Sequence, residues 1–243
     1  MGVVAKKVAS VGEGGEVVYD PSRWEVLKRL RGIAVLYLGD LKKDGFDAIV
    51  HGSVARGDVT ERSDVDVFIP EVHPSYAIEA AVGRIERVSK RELTQATPAH
   101  TLKAILHVAE AVKVTFPLLP LREKERDFYR FGGELGLEGL EAGRRVAGVD
   151  KRLMVIVPTD YGHYEFSALD NVVRASKTLG VRLETVQERV RVLTRRDRIG
   201  RTGIYYKEEL REDETFEGKL RERASRDPSL RRLIQQRGME FKY

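Results

Sequence analysis

In Asp64-Val65-Asp66-Val67-Phe68-Ile69, two acids alternate with apolar residues, and Pro70 ends the run. Alternation of this kind marks a strand, and residues i and i+2 of a strand point to the same face. Asp64 and Asp66 therefore stand side by side on an otherwise apolar strand. Adjacent carboxylates repel unless a cation lies between them, so the pattern calls for a metal ion. Ten residues separate Asp64 from Ser53, and the apolar run Phe46 to Val50 ends at His51-Gly52-Ser53. That run reads as a buried strand. Glycine lets backbone approach a ligand closely, and amides exposed at such a turn bind phosphate oxygens. The Ser53 hydroxyl adds a donor, and a helix starting there adds a dipole favourable to anions.

The flanking sequence predicts a layered α/β arrangement. Pro21-Ser22-Arg23-Trp24 reads as a helix start, and Trp24, Leu27, Leu30, Val35, Leu38 and Leu41 roughly follow helical spacing up to Gly45. After the acidic strand, Tyr76 to Val88 reads as helix. Lys90 to Ala96, Thr101 to Val108 and Val112 to Leu118 read as strands. Arg122 to Leu140 reads as helix broken at Gly132-Gly133, and Leu153 to Val157 as a short strand. The pattern changes between Gly148 and Tyr164, which places the expected division at 1–158 and 159–243.

Composition narrows the chemistry. The chain has 243 residues, 42% hydrophobic and 33% charged, enough for a globular core. It has no cysteine, which excludes disulfides, thiolate metal sites and a cysteine nucleophile. Oxygen ligands favour Mg²⁺ or Mn²⁺. The sequence lacks a long apolar run and a secretory signal at its start, so the expectation is a cytoplasmic protein with no membrane partner. The net charge of +5 is uneven: residues 165–243 hold 19 Lys+Arg against 14 Asp+Glu, leaving 24 of each sign elsewhere. That asymmetry points to an anionic partner such as nucleic acid; a solvated charged surface is the competing reading.

The segment Gly52-Ser53, Ala55-Arg56-Gly57, Ser63-Asp64-Val65-Asp66 resembles the signature of the DNA polymerase beta-type nucleotidyltransferases, particularly their small prokaryotic members. The close match covers about residues 46 to 69. The resemblance implies a mixed sheet with flanking helices, Mg²⁺ (or Mn²⁺) dependence, and transfer of a nucleoside monophosphate from an NTP such as ATP to a hydroxyl. It implies that Gly52 and Ser53 contact the triphosphate, that Arg56 assists, and that Asp64 and Asp66 bind metal. Relatives of this kind carry a third acid on a later strand. Glu92 is the candidate here, with Glu110 as runner-up; a surface glutamate is the competing reading of Glu92. If neither acid reaches the metals, the expectation is nucleotide binding without efficient turnover.

Beyond residue 159, Ala175…Leu179-Gly180-Val181…Val186…Val190…Leu193 resembles a helix-turn-helix. Arg195 to Tyr206 resembles the hairpin wing of a winged helix. Arg182, Gln187, Arg189, Arg191, Arg195, Arg196, Arg198 and Arg201 are the candidate nucleic-acid contacts. The alternative is a helical hairpin that packs on the catalytic domain or forms a homo-oligomer. Glu217 to Arg237 reads as an exposed charged helix. Phe128-Tyr129-Arg130-Phe131 offers rings for stacking a base or for the core, and His163 reads as a loop or structural residue rather than a catalytic one.

Overall fold

The computed structural model describes residues 8–9, 12–108, 111–200 and 203–239. Glu110 and Arg201 lie outside them. The described residues form two sheets and nine helices.

The first helix, α1 (Pro21–Lys43), starts where Asp20 Oδ1 accepts from the Arg23 amide, with proline in the first turn. Both features satisfy or remove donors that the first helical turn leaves unpaired. Leu27, Leu30, Ala34, Leu38 and Leu41 recur at helical spacing and are buried against the large sheet. Strand β2 (Ile49–His51) leads through one helical turn, α2 (Ser53–Arg56), to β3 (Val65–Phe68). Helix α3 (Ser75–Ile85) follows, then β4 (Lys90–Gln95), β5 (Lys103–His107) and β6 (Val112–Pro117). The alternating patterns of these segments are realised as read: Val50, Val67, Leu106 and Val114 point to one face and are fully buried.

The helix expected over Arg122 to Leu140 breaks at Gly132-Gly133 as read, but a strand stands in the break. α4 (Glu123–Gly132) stops at Gly133, whose φ of +83° is a left-handed geometry that glycine adopts without strain. The chain then forms strand β7 (Glu134–Gly136), the single turn α5 (Leu137–Glu141) and β8 (Gly148–Val149). A hairpin follows, β9 (Met154–Thr159) and β10 (Gly162–Ser167), and β10 also pairs with β1 (Gly14–Val18). The small sheet runs β1-β10-β9-β8 and is antiparallel throughout.

Helices α6 (Val172–Leu179) and α7 (Leu183–Ile199) meet at Gly180, which is left-handed at φ +62°. This matches the expected helix-turn-helix spacing. The expected hairpin wing over 195–206 does not form: Arg195, Arg196 and Arg198 continue α7 to Ile199. Strand β11 (Tyr206–Glu209) pairs not with a neighbouring wing strand but with β4 of the large sheet. The large sheet therefore runs β11-β4-β5-β6-β3-β2-β7, and β3–β6 is its one parallel pair.

The last segment also differs from the single exposed helix expected. Asp227-Pro228 splits it into α8 (Phe216–Arg226) and α9 (Pro228–Gln236). Phe216, Leu220, Leu230, Leu233 and Ile234 are buried in the same core as α1 and the large sheet. Glu217 accepts from both the amide and the hydroxyl of Ser75, which supplies the cap that Pro74 cannot provide for α3. Three strand pairings thus cross residue 158: β1 with β10, β9 with β10, and β11 with β4.

Candidate nucleotide and metal site

The site lies on one face of the large sheet, opposite the valine and leucine face. Cross-strand register sets a single row across it: Glu134, His51, Asp66, Lys113, His107 and Lys90, contributed in turn by β7, β2, β3, β6, β5 and β4. Paired residues of neighbouring strands share a face. The row therefore gathers acids, imidazoles and ammonium groups on one surface.

β2 delivers His51 opposite Asp66, so the Gly52-Ser53 turn leaves the sheet at the end where Asp64 enters it. Gly52 has φ +80° and ψ −144°, a conformation that essentially only glycine adopts. Its amide donates to the Gly133 carbonyl at 2.9 Å. Arg31 of α1 donates to the carbonyls of Val54 and Ala55 at 3.2 and 3.1 Å, fixing the turn from below. The Ser53 and Val54 amides lie in the first turn of α2, where a helix has no carbonyl of its own to receive them.

Arg56 does not project toward this turn's open side. Its guanidinium is buried, with Nη1 donating to the carbonyl of Gly132 at 2.6 Å and Nη2 to Asp58 at 2.8 Å. The expectation that it assists the triphosphate thus gives way to a positioning role between the turn, α4 and Asp58.

Asp64 and Asp66 share the face, as their spacing requires. Lys113 Nζ donates to Asp64 Oδ2 at 2.5 Å. No hydrogen bond or ion pair engages the Asp66 carboxylate among the described residues. His51 is held below the ordinary imidazole value, mainly by burial, against the opposing pull of Asp66. Its ring meets Tyr129 edge-on at 4.9 Å. Tyr129 stacks on Phe68 and accepts from Lys103 Nζ at 2.8 Å. Burial lowers Lys103 to about 8.

Glu92 sits elsewhere. It lies on β4, three strands from β3, which is roughly 14 Å at the usual interstrand spacing of about 4.8 Å. It is buried and already engaged by His107 at 2.6 Å, Lys207 at 2.8 Å and Lys90 at 2.9 Å. The structure thus corrects its assignment as a third metal carboxylate: its charge is spent anchoring β11 to β4. The runner-up, Glu110, lies outside the described residues.

The donors present suit a hard divalent cation. Mg²⁺ uses one or two carboxylates and completes its shell with water and substrate phosphates. Asp66 and the second oxygen of Asp64 offer that. No cluster of three or more metal-binding side chains occurs among the described residues, so no all-protein cage is available.

The remaining candidates fall into two groups. Arg191, Arg195, Arg196 and Arg198 are exposed on α7. Arg189 is half-buried, its guanidinium 4.9 Å from the Phe128 ring centre, while Arg182 is paired with Glu123 and Asp127, both at 2.7 Å. Tyr129 and Phe131 are core residues, and Phe128 is partly exposed. His163 is buried in the small sheet and bonded to Tyr19 Oη at 2.7 Å, consistent with a structural role. Sequence reasoning gave no site role to Lys113, His51 or Glu134, which strand register brings into the row, and did not pair Lys103 with Tyr129, a contact between β5 and α4.

Residues 34–119 match the family model described as nucleotidyltransferase domain, a span that holds Gly52, Ser53, Asp64, Asp66 and Lys113. No curated protein and no solved structure matches the chain. No helix among the described residues is long and apolar enough to cross a membrane.

Proposed function

We propose that the chain binds a magnesium–nucleoside triphosphate at Gly52-Ser53 and Asp64/Asp66 and transfers its nucleoside monophosphate to a hydroxyl acceptor. The observation that carries this reading is the Asp66 carboxylate, without a hydrogen bond or ion pair among the described residues, beside the Gly52-Ser53 turn and within the span that matches the nucleotidyltransferase domain. The turn's amides and the Ser53 hydroxyl hold phosphate oxygens. Asp64 and Asp66 hold the divalent cation, which when bound polarises the phosphate under attack and neutralises charge on the leaving pyrophosphate. Arg31 and Arg56 keep the turn in place, and the stacked Phe68–Tyr129 pair closes the floor beside His51.

The exposed arginines of α7 are proposed to attract an anionic acceptor, RNA or DNA. Arg191, Arg195 and Arg198 recur at i, i+4 and i+7, which puts them on one helix face.

Calorimetry of Mg²⁺ with each nucleoside triphosphate, on wild type and on Asp64→Ala/Asp66→Ala, tests the assignment. Wild type should bind at least one triphosphate, and the variant should lose most of that affinity. Absence of binding to wild type would overturn the reading. A second reading, nucleotide binding without transfer, is favoured by the distance of Glu92 from Asp66. Binding without incorporation of labelled nucleotide into any fraction of cell extract would support it.

A further inference from the structure

Lys113 is the residue nearest the paired carboxylates that the proposed function leaves unused. It lies on β6, the parallel neighbour of β3, directly in register with Asp66. Its ammonium turns to Asp64, at 2.5 Å from Oδ2. Asp66 and Glu92 are the further anions in its neighbourhood, and Glu92 already has ion pairs with His107, Lys90 and Lys207. A lysine ammonium is cationic at neutral pH. A positive charge therefore stands against one of the two carboxylates that lie side by side along the strand. A divalent ion on the same Asp64 oxygen would be repelled at close range, where Coulomb energies are large. Among the described residues no third carboxylate stands in the row between His51 and His107 to offset that repulsion.

We propose that Lys113 is a built-in cation of the site: its ammonium takes the place beside Asp64 that a second divalent ion would occupy. The chain then binds nucleotide with a single divalent cation, held by Asp66 and the free oxygen of Asp64. The inference rests on the nucleotide-binding reading above but concerns the number of metal ions, which can be read without turnover.

The test is Mn²⁺ titration followed by electron paramagnetic resonance of free Mn²⁺. It uses the full chain, alone and with a non-hydrolysable α,β-methylene triphosphate. Wild type with nucleotide should take up one Mn²⁺ per chain, and Lys113→Arg should match it. Lys113→Glu, which places a carboxylate opposite Asp66, should take up two. Lys113→Met should bind Mn²⁺ alone at least tenfold more tightly than wild type. Circular dichroism establishes that each variant is folded; should the glutamate variant fail to fold, the methionine variant decides. Two Mn²⁺ on wild type, or a folded Lys113→Met chain with unchanged Mn²⁺ affinity, would overturn the proposal. Failure of wild type to bind nucleotide sinks the function proposed above, whereas the Mn²⁺-only comparison still judges Lys113.

Discussion

Arg56 Nη2 donates to Asp58 Oδ2 at 2.8 Å, with both side chains almost fully shielded from solvent. The same guanidinium reaches the Gly132 carbonyl at 2.6 Å, so it joins the phosphate-side turn to the end of α4. A residue placed like this stabilises the site's frame rather than its ligand. Arg56→Ala leaves Asp58 buried without its partner, which typically costs about 3–5 kcal/mol. Urea unfolding should show that loss. In the fraction that remains folded, nucleotide affinity should fall less than tenfold; a larger fall would mean the guanidinium touches phosphate after all.

Legibility follows how local each feature is. The spacing of Gly52-Ser53 and Asp64-Val65-Asp66 exposes the phosphate turn and the paired carboxylates because a strand's period fixes them within one segment. β4, β5 and β6 are legible for the same reason. Lys113 is not: Val112 to Phe116 carries no acid, and nothing local says that this strand lies parallel to β3 with Lys113 opposite Asp66. β1 and β10 escape notice because each is short and partly polar, and their pairing joins residues far apart in the chain. The wing fails because Arg195 to Ile199 have helical neighbours that extend α7, and the next strand finds the open edge of β4 instead.

β11 is held on that edge by charge. Burial alone would raise Glu92, but hydrogen bonds from Lys207, Lys90 and His107 outweigh it and hold the carboxyl at about 2. The ordinary value is 4.5, so the folded state binds its proton less readily than the unfolded chain. The resulting stability is fully present above about 4.5 and is lost as pH falls toward about 2. Wild type should therefore lose stability steeply across that window. Glu92→Gln should be weaker at neutral pH and flatter on acidification. Equal slopes, followed by fluorescence of urea titrations at stepped pH, would show that Glu92 is not the group responsible.

Arg237, just past α9, ties the C-terminal helices to α4. Its Nη1 donates to Glu125 Oε2 at 2.6 Å, with side-chain exposures of only 3% and 5%. Glu125 in turn accepts from the Thr101 and Arg122 amides at 2.7 and 2.8 Å. Removing one member of such a pair strands a buried charge, so Arg237→Met should destabilise the chain by about 3–5 kcal/mol. Because Glu125→Met also leaves the Thr101 and Arg122 amides without their acceptor, Arg237→Met/Glu125→Met should not restore wild-type stability, even with the lone charge gone. A double-mutant cycle by chemical denaturation measures the coupling; a value near zero would remove this pair from the list of contacts that hold α9.

The exposed arginines of α7 make a quantitative prediction for the acceptor. Each cation that neutralises a phosphate releases counterions, so affinity for a single strand falls with salt at a slope of about −0.7 per contact. Arg191, Arg195 and Arg198 share one exposed helix face, whereas Arg182 is committed to Glu123 and Asp127. Replacing the three exposed residues with alanine should therefore weaken binding to single-stranded RNA or DNA and shallow the salt slope by about 2. Arg182→Ala should leave the slope unchanged and lower stability instead. Fluorescence anisotropy of a labelled oligonucleotide across a salt series reads both. A wild-type chain with no affinity at low salt, or a slope the triple variant does not change, would assign this face to solvent rather than to an acceptor.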